Sequence, residues 1–297
     1  MTMGRRDFMK VSAAAGAASL VACETAGVKL PPPSKKAVLN LSCQENVAPD
    51  GSLTEKLDFL EEHGFVGYEV WGTKIGERVT ELQKALDGRS IKISATCSGF
   101  EGVIVSEDPK IRRTAVDSMK EILTAAGELK STGLVMVPAF HGQTKLSHQE
   151  TRSVLIDNLA ELGEHAVKAG SRMLIEPLNR KECYFLRQVA DAAAICRDVG
   201  SPGVALMADF WHMTFEETSD LGAIISAGDH MRHMHVASRK RRMMPGEDEG
   251  DNYVDGFRGM KLVGYTDFLS FECGSVGDKH DTIPAAANLL REQWEMA

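Results

Sequence analysis

The sequence predicts a single-domain (β/α)8 TIM barrel, on three observations. Short apolar runs alternate with longer amphipathic segments about eight times after residue 36. Strand and helix in regular alternation build a parallel sheet covered by helices. About eight such units in roughly 260 residues suit closure into a barrel. An open doubly wound sheet is the alternative, but no GxGxxG follows the first run.

The runs are AVLNLS (37–42), VGYEVWG (66–72), IKISAT (91–96) and GLVMVPAF (133–140), then RMLIEPL (172–178), GVALMADF (203–210), MRHMHVA (231–237) and DFLSFEC (267–273). Each is short and rich enough in β-branched or aromatic residues for a strand buried on both faces. Segments 53–63, 111–129, 150–169, 189–199 and 284–294 carry the amphipathic spacing of the covering helices.

The 297 residues are 43% hydrophobic and 26% charged, with a net charge of −8. That composition is ordinary for a folded domain and excludes collagen-like, coiled-coil or wholly disordered chains. An acidic surface repels phosphate backbones, so no nucleic-acid partner is expected.

Residues 1–22 read as an export signal. Arg5 and Arg6 in GRRDFMK resemble a twin-arginine motif, and the apolar run 11–22 is too short to cross a bilayer, which takes about 20 residues. LVAC (20–23) resembles a lipobox, which makes Cys23 the site of an N-terminal lipid and the only expected membrane contact. The leader carries a net +2 from Arg5, Arg6, Lys10 and Asp7, so the remainder is near −10. Residues 23–36, with Pro31, Pro32 and Pro33, form a linker, and the barrel occupies 37–297. The expected location is periplasmic, or lipid-anchored to a bacterial membrane. No two of Cys23, Cys43, Cys97, Cys183, Cys196 and Cys273 make a CxxC, so no thiolate zinc or redox site is expected. Nothing sets the oligomeric state, and a homo-oligomer stays open.

Active-site groups of such barrels sit at the C-terminal ends of strands. Those ends carry Glu176, Asp209, His235 and Glu272 on four successive strands. A carboxylate at the end of a buried run is costly unless it is paired or binds metal. Together these residues predict one divalent metal site: Mn2+ first, with Mg2+, Co2+ or Zn2+ as alternatives.

These segments resemble the xylose isomerase-like TIM barrels, in the branch of ketose 3-epimerases and hydroxypyruvate isomerase. The resemblance spans most of residues 37–294 and is strongest over 174–274. EPLNRKE (176–182) is similar to a block whose first Glu binds metal and acts as catalytic base and whose last, Glu182, faces substrate. In DFWHM (209–213), the resemblance implies Asp209 as ligand and His212 as a substrate contact. HVASRKRR (235–242) implies His235 as ligand and Arg241 on substrate oxygens. FECG (271–274) implies Glu272 as final ligand and second acid/base. His141 and Trp71 are further substrate-site candidates, while Phe140, Phe210 and Trp211 are candidate walls. Segment 239–251, basic then acidic, is either a lid or a salt-bridged loop.

The expected function is metal-dependent isomerisation or epimerisation of a non-phosphorylated sugar or keto-sugar. A proton is abstracted beside a carbonyl, through an enediolate held on the metal. A lyase or hydratase on 3-keto-glycosides, with the same metal and glutamate pair, is the alternative. A non-catalytic sugar-binding lipoprotein and an apurinic endonuclease-like nuclease rank lower. The nuclease needs additional histidine ligands on early strands, where this chain carries Glu69, Cys97 and Ser98.

Overall fold

The structure is a computed structural model that describes residues 36–297. The expected leader (1–22) and all of the linker (23–36) except Lys36 lie outside the described residues.

Every expected run becomes a strand: β1 Asn40–Gln44, β2 Gly67–Trp71, β3 Lys92–Cys97, β4 Leu134–Met136, β5 Met173–Ile175, β6 Val204–Asp209, β7 Met231–Val236 and β8 Phe268–Phe271. They pair in parallel in chain order, and β8 closes onto β1. The helices are α1 Leu53–Glu62, α2 Ile75–Leu86, α3 Pro109–Glu128, α4 His148–Ala169 and α5 Val189–Val199, then α6 Phe210–Glu216, α7 Asp220–Ala227, α8 Val254–Val263 and α9 Lys279–Met296.

Local signals explain most boundaries. Ser52 with Glu55 and Ser147 with Glu150 form capping boxes that start α1 and α4. Asp108 caps α3, with Pro109 at its first position. Four helices go beyond the sequence expectation. α2 buries Ile75, Val79 and Leu82 on one stripe, but Lys74 gives it no side-chain cap. α6 and α7 are too short to show a period. α8 is disguised by Gly256 and Gly259, poor helix formers. They serve close approach: a Cβ on Gly256 would lie 2.2 Å from the Phe210 ring. α9 begins at the Asp278 cap, ahead of Pro284 where its start was expected.

The barrel interior is layered. Ala95, Cys97, Val135, Leu174, Ala205 and Met207 form an apolar plug, with Trp71 packed against it. A buried polar group shares the interior: Ser42 and Ser94, whose hydroxyls meet at 2.7 Å, with Gln44, Glu69, His233 and His235. The larger apolar core lies between sheet and helices. Cys43, Cys97, Cys183, Cys196 and Cys273 are all free thiols. No described helix is long and apolar enough to cross a membrane.

Candidate metal centre and substrate pocket

β5 to β8 deliver the four expected ligands to one point. Glu176 follows β5, Asp209 ends β6, His235 lies on β7 and Glu272 follows β8. One ligand atom from each lies within 4.8 Å of all the others. His235 Nδ1 is 3.0 Å from Glu272 Oε2 and 4.0 Å from Glu176 Oε1. Glu176 Oε1 and His235 Nδ1 are buried and lack a properly aligned hydrogen-bond partner. Buried polar atoms are rarely left so, and their convergence fits a cation between them. Three carboxylates and one imidazole suit a hard or borderline divalent ion.

The candidate ligands are held from behind. Asp209 Oδ1 accepts the Trp211 N–H at 2.8 Å, which caps α6 and leaves Oδ2 to the site. His235 Nε2 lies 3.0 Å from Glu69 Oε1, an arrangement that turns Nδ1 toward the cluster. His212 sits beside the centre, its Nε2 3.8 Å from Glu176 and 3.7 Å from Asp209. Its Nδ1 accepts the Asn179 backbone N–H, and Asn179 Nδ2 also donates to Glu182 at 2.9 Å. The Arg242 guanidinium bridges Asp209, at 3.0 Å, and Glu272, and stacks 4.7 Å from the Trp211 ring centre.

The carboxyls differ in their proton affinity. Burial pushes Glu176 up to about 8, and the Glu272 and Asp209 charges reinforce the shift. Burial also raises Glu272, but His235 and Arg242 outweigh it and hold that carboxyl at about 2. His235 is driven well above the ordinary imidazole range: burial opposes its charge, but Glu69 and Glu272 more than compensate. Burial lowers the proton affinity of His212, against the opposing charge of Asp209. Proton and guanidinium thus occupy places that a metal ion would compete for.

A pocket of about 290 Å³ opens over the cluster. Trp71 and Glu182 line it together with Glu176, His212 and Glu272. Phe140 is also on its wall, whereas Phe210 is fully buried and packs edge-on against Tyr253 and Phe257. Two expected substrate contacts stand elsewhere. His141 is exposed off the pocket, its Nε2 3.0 Å from the Arg180 carbonyl. Arg241 points away, its Nε donating to Asp248 and its guanidinium to the Glu247 carbonyl. The arginine at the pocket is the next residue, Arg242. Asp248 makes the difference, accepting from the Ser238 hydroxyl and the Lys240 and Arg241 N–H groups. Arg242 then takes a left-handed φ of 57°, which turns its side chain inward. Segment 239–251 is accordingly a pinned, salt-bridged loop: Glu247 accepts the N–H groups of Val276 and Gly277, and Arg239 pairs with Asp220.

Sequence reasoning left out Gln44, Asn179 and His233 and gave Glu69 no part in the site. The readable signal was a charged residue inside the apolar run VGYEVWG and two alternating histidines in MRHMHVA.

The fold and this strand-end cluster define a class of barrel, and the chain belongs to the xylose isomerase-like TIM barrel family, whose profile matches residues 57–293. Among its relatives, a 3-dehydro-D-guloside 4-epimerase of Escherichia coli is 26% identical over 230 residues, covering 74% of this chain and 87% of that protein. An L-ribulose 3-epimerase of Mesorhizobium japonicum is 27% identical over 226 residues, covering 74% and 72%. The crystal structure of 3-keto-D-glucoside 4-epimerase from E. coli superposes with a TM-score of 0.77 at 23% identity, covering 86% of this chain and 99% of that one.

Proposed function

We propose that this protein is a divalent-metal-dependent sugar epimerase that moves a proton at the carbon next to a carbonyl. The observation that carries the reading is the convergence of Glu176, Asp209, His235 and Glu272, two of whose buried ligand atoms lack hydrogen-bond partners. Glu176, Asp209, His235 and Glu272 would hold the ion, with Mn2+ the first choice. When bound, such an ion holds carbonyl and hydroxyl oxygens and stabilises the negative charge that deprotonation creates.

The chain's own groups supply the rest. Glu176 and Glu272 form the proton-transfer pair: one carboxylate oxygen takes the C–H proton while the other carboxyl returns one. In a reversible epimerisation the two exchange roles with the direction of reaction. Arg242 and the Nε2–H of His212 face the oxygens on which negative charge develops. Trp71, Phe100, Val103 and Val137 form an apolar wall beside these groups, and low-dielectric surroundings strengthen their charges.

The names of the relatives point to ketoses and keto-glycosides as the substrate class. The twin-arginine and lipobox patterns favour an exported, lipid-anchored enzyme and hence a non-phosphorylated substrate. Proton removal beside a 3-keto group also permits loss of the C1 substituent, so elimination is the second reading, favoured by the keto-glycoside name.

The test is incubation of the Mn2+-loaded protein with free ketoses, aldoses and 3-keto-glycosides in deuterated water, followed by NMR. Deuterium at one carbon of an epimer supports the proposal, and a released aglycone supports elimination. Absence of exchange in every sugar by protein with Mn2+ bound refutes it.

A further inference from the structure

Glu69 stands behind the metal ligands and is fully enclosed. It lies on β2, separated from β7 by β8 and β1, yet its carboxylate reaches across the interior to two β7 imidazoles. Its Oε2 is 2.9 Å from His233 Nε2, and its two oxygens are 3.0 and 3.1 Å from His235 Nε2. Gln44 Nε2 adds a third donor at 3.1 Å, and the same amide lies 3.4 Å from Glu272 Oε1.

A buried carboxylate is expensive and persists only with strong partners. All three partners here are donors, and two of them reach the candidate centre: His235 is one of its four residues and Gln44 contacts Glu272. Hydrogen bonding to Nε2 decides two properties of His235. It keeps a proton on Nε2, so the Nδ1 lone pair is the one available to a metal. It also fixes the ring plane, because rotation would break the contact. His233 does not face the cluster. It holds the other side of the Glu69 carboxylate, with the two rings 5.2 Å apart and nearly perpendicular, so Glu69 itself cannot swing.

We infer that Glu69, braced by His233 and Gln44, is a positioning residue for the metal centre. It aims His235 Nδ1 at the cation site before an ion arrives, and its charge makes that nitrogen a stronger donor. A hydrogen-bonded carboxylate behind a metal-bound histidine has this effect in general, and its loss typically weakens metal binding 10- to 100-fold. The inference rests on the metal reading proposed above.

The experiment is titration of the full folded chain with Mn2+ alone, following free Mn2+ by electron paramagnetic resonance at one pH, beside circular dichroism of each variant. Glu69→Gln keeps the side-chain shape and removes the charge. Its Mn2+ dissociation constant is expected to rise about 10- to 100-fold with an unchanged far-ultraviolet spectrum. With Co2+ as probe, its visible bands should shift, which a residue serving only folding would not cause. His233→Gln leaves the Glu69–His235 contact but removes the brace, and should raise the constant by a smaller factor, about three- to tenfold. It also decides the matter if Glu69→Gln fails to fold. Wild-type protein that takes up no Mn2+ refutes the metal reading. Wild type that binds, with folded variants binding within a factor of about two of it, refutes the positioning role alone.

Discussion

His212 Nδ1 accepts the backbone N–H of Asn179 at 3.1 Å. A backbone nitrogen only donates, so the imidazole proton resides on Nε2. That N–H faces Glu176 and Asp209 at 3.8 and 3.7 Å, too far for hydrogen bonds. Under the proposed function that N–H serves a substrate oxygen, and His212 stays outside the ligand set of Glu176, Asp209, His235 and Glu272. His212→Ala should lower kcat/KM about 100-fold while leaving Mn2+ affinity within a factor of about three. Steady-state kinetics and metal titration on the same variant check this, and a matching collapse of metal binding would make His212 a ligand instead.

Arg242 bridges Asp209 and Glu272, two of the candidate ligands. A guanidinium there balances charge in the metal-free site and opposes an incoming cation. Arg242→Gln should bind Mn2+ about three- to tenfold more tightly and turn over at least about tenfold more slowly. Opposite movement of affinity and rate separates this from general damage. Arg241→Gln, which removes a half-exposed partner of Asp248, should change turnover less.

Glu176, near 8, and His235, well above the ordinary imidazole range, both have raised proton affinities. Each group is protonated below its own pKa, and a cation must displace those protons. Mn2+ affinity should therefore fall as pH drops below about 8, by up to about tenfold per pH unit per proton displaced. Calorimetry in buffers of different ionisation enthalpy would count the protons released. Chelator treatment should abolish activity, and added Mn2+ should restore it.

Away from the site, Glu61 on α1 ties down the entry to β3. Its Oε1 accepts the Ser90 hydroxyl at 2.7 Å and the Ser90 and Ile91 N–H groups at 2.9 and 3.1 Å, and Arg89 pairs with Oε2 at 2.8 Å. The Ser90 hydroxyl and Arg89, against a burial penalty, hold the carboxyl at about 2, below its ordinary 4.5. A depressed carboxyl stabilises the fold above its unfolded value, so this contribution is complete above about pH 4.5 and fades as pH falls toward 2. Glu61→Gln should cost about 1–2 kcal/mol at pH 7, with a smaller difference near pH 3, as measured by urea unfolding.

Much of the fold was legible because each strand is an apolar run buried on both faces, bounded by helices with recognisable caps. Glu176, Asp209, His235 and Glu272 stood out for the same reason, as polar groups where apolar runs end. Helix α8 was hidden because Gly256 and Gly259 weaken its local signal while permitting a close approach to Phe210 and α7 that no local pattern reveals.

By itself the sequence determined the barrel and the four residues that meet at its mouth, since strand ends converge in any closed parallel sheet. Only the tertiary structure decided that Arg242 and not Arg241 turns inward, and that Glu69 meets His235 from 166 residues away. The physical reason is that periodicity reports which face of an element is buried. The direction of a loop side chain depends on the carboxylate that pins the loop, and contacts across the barrel depend on closure.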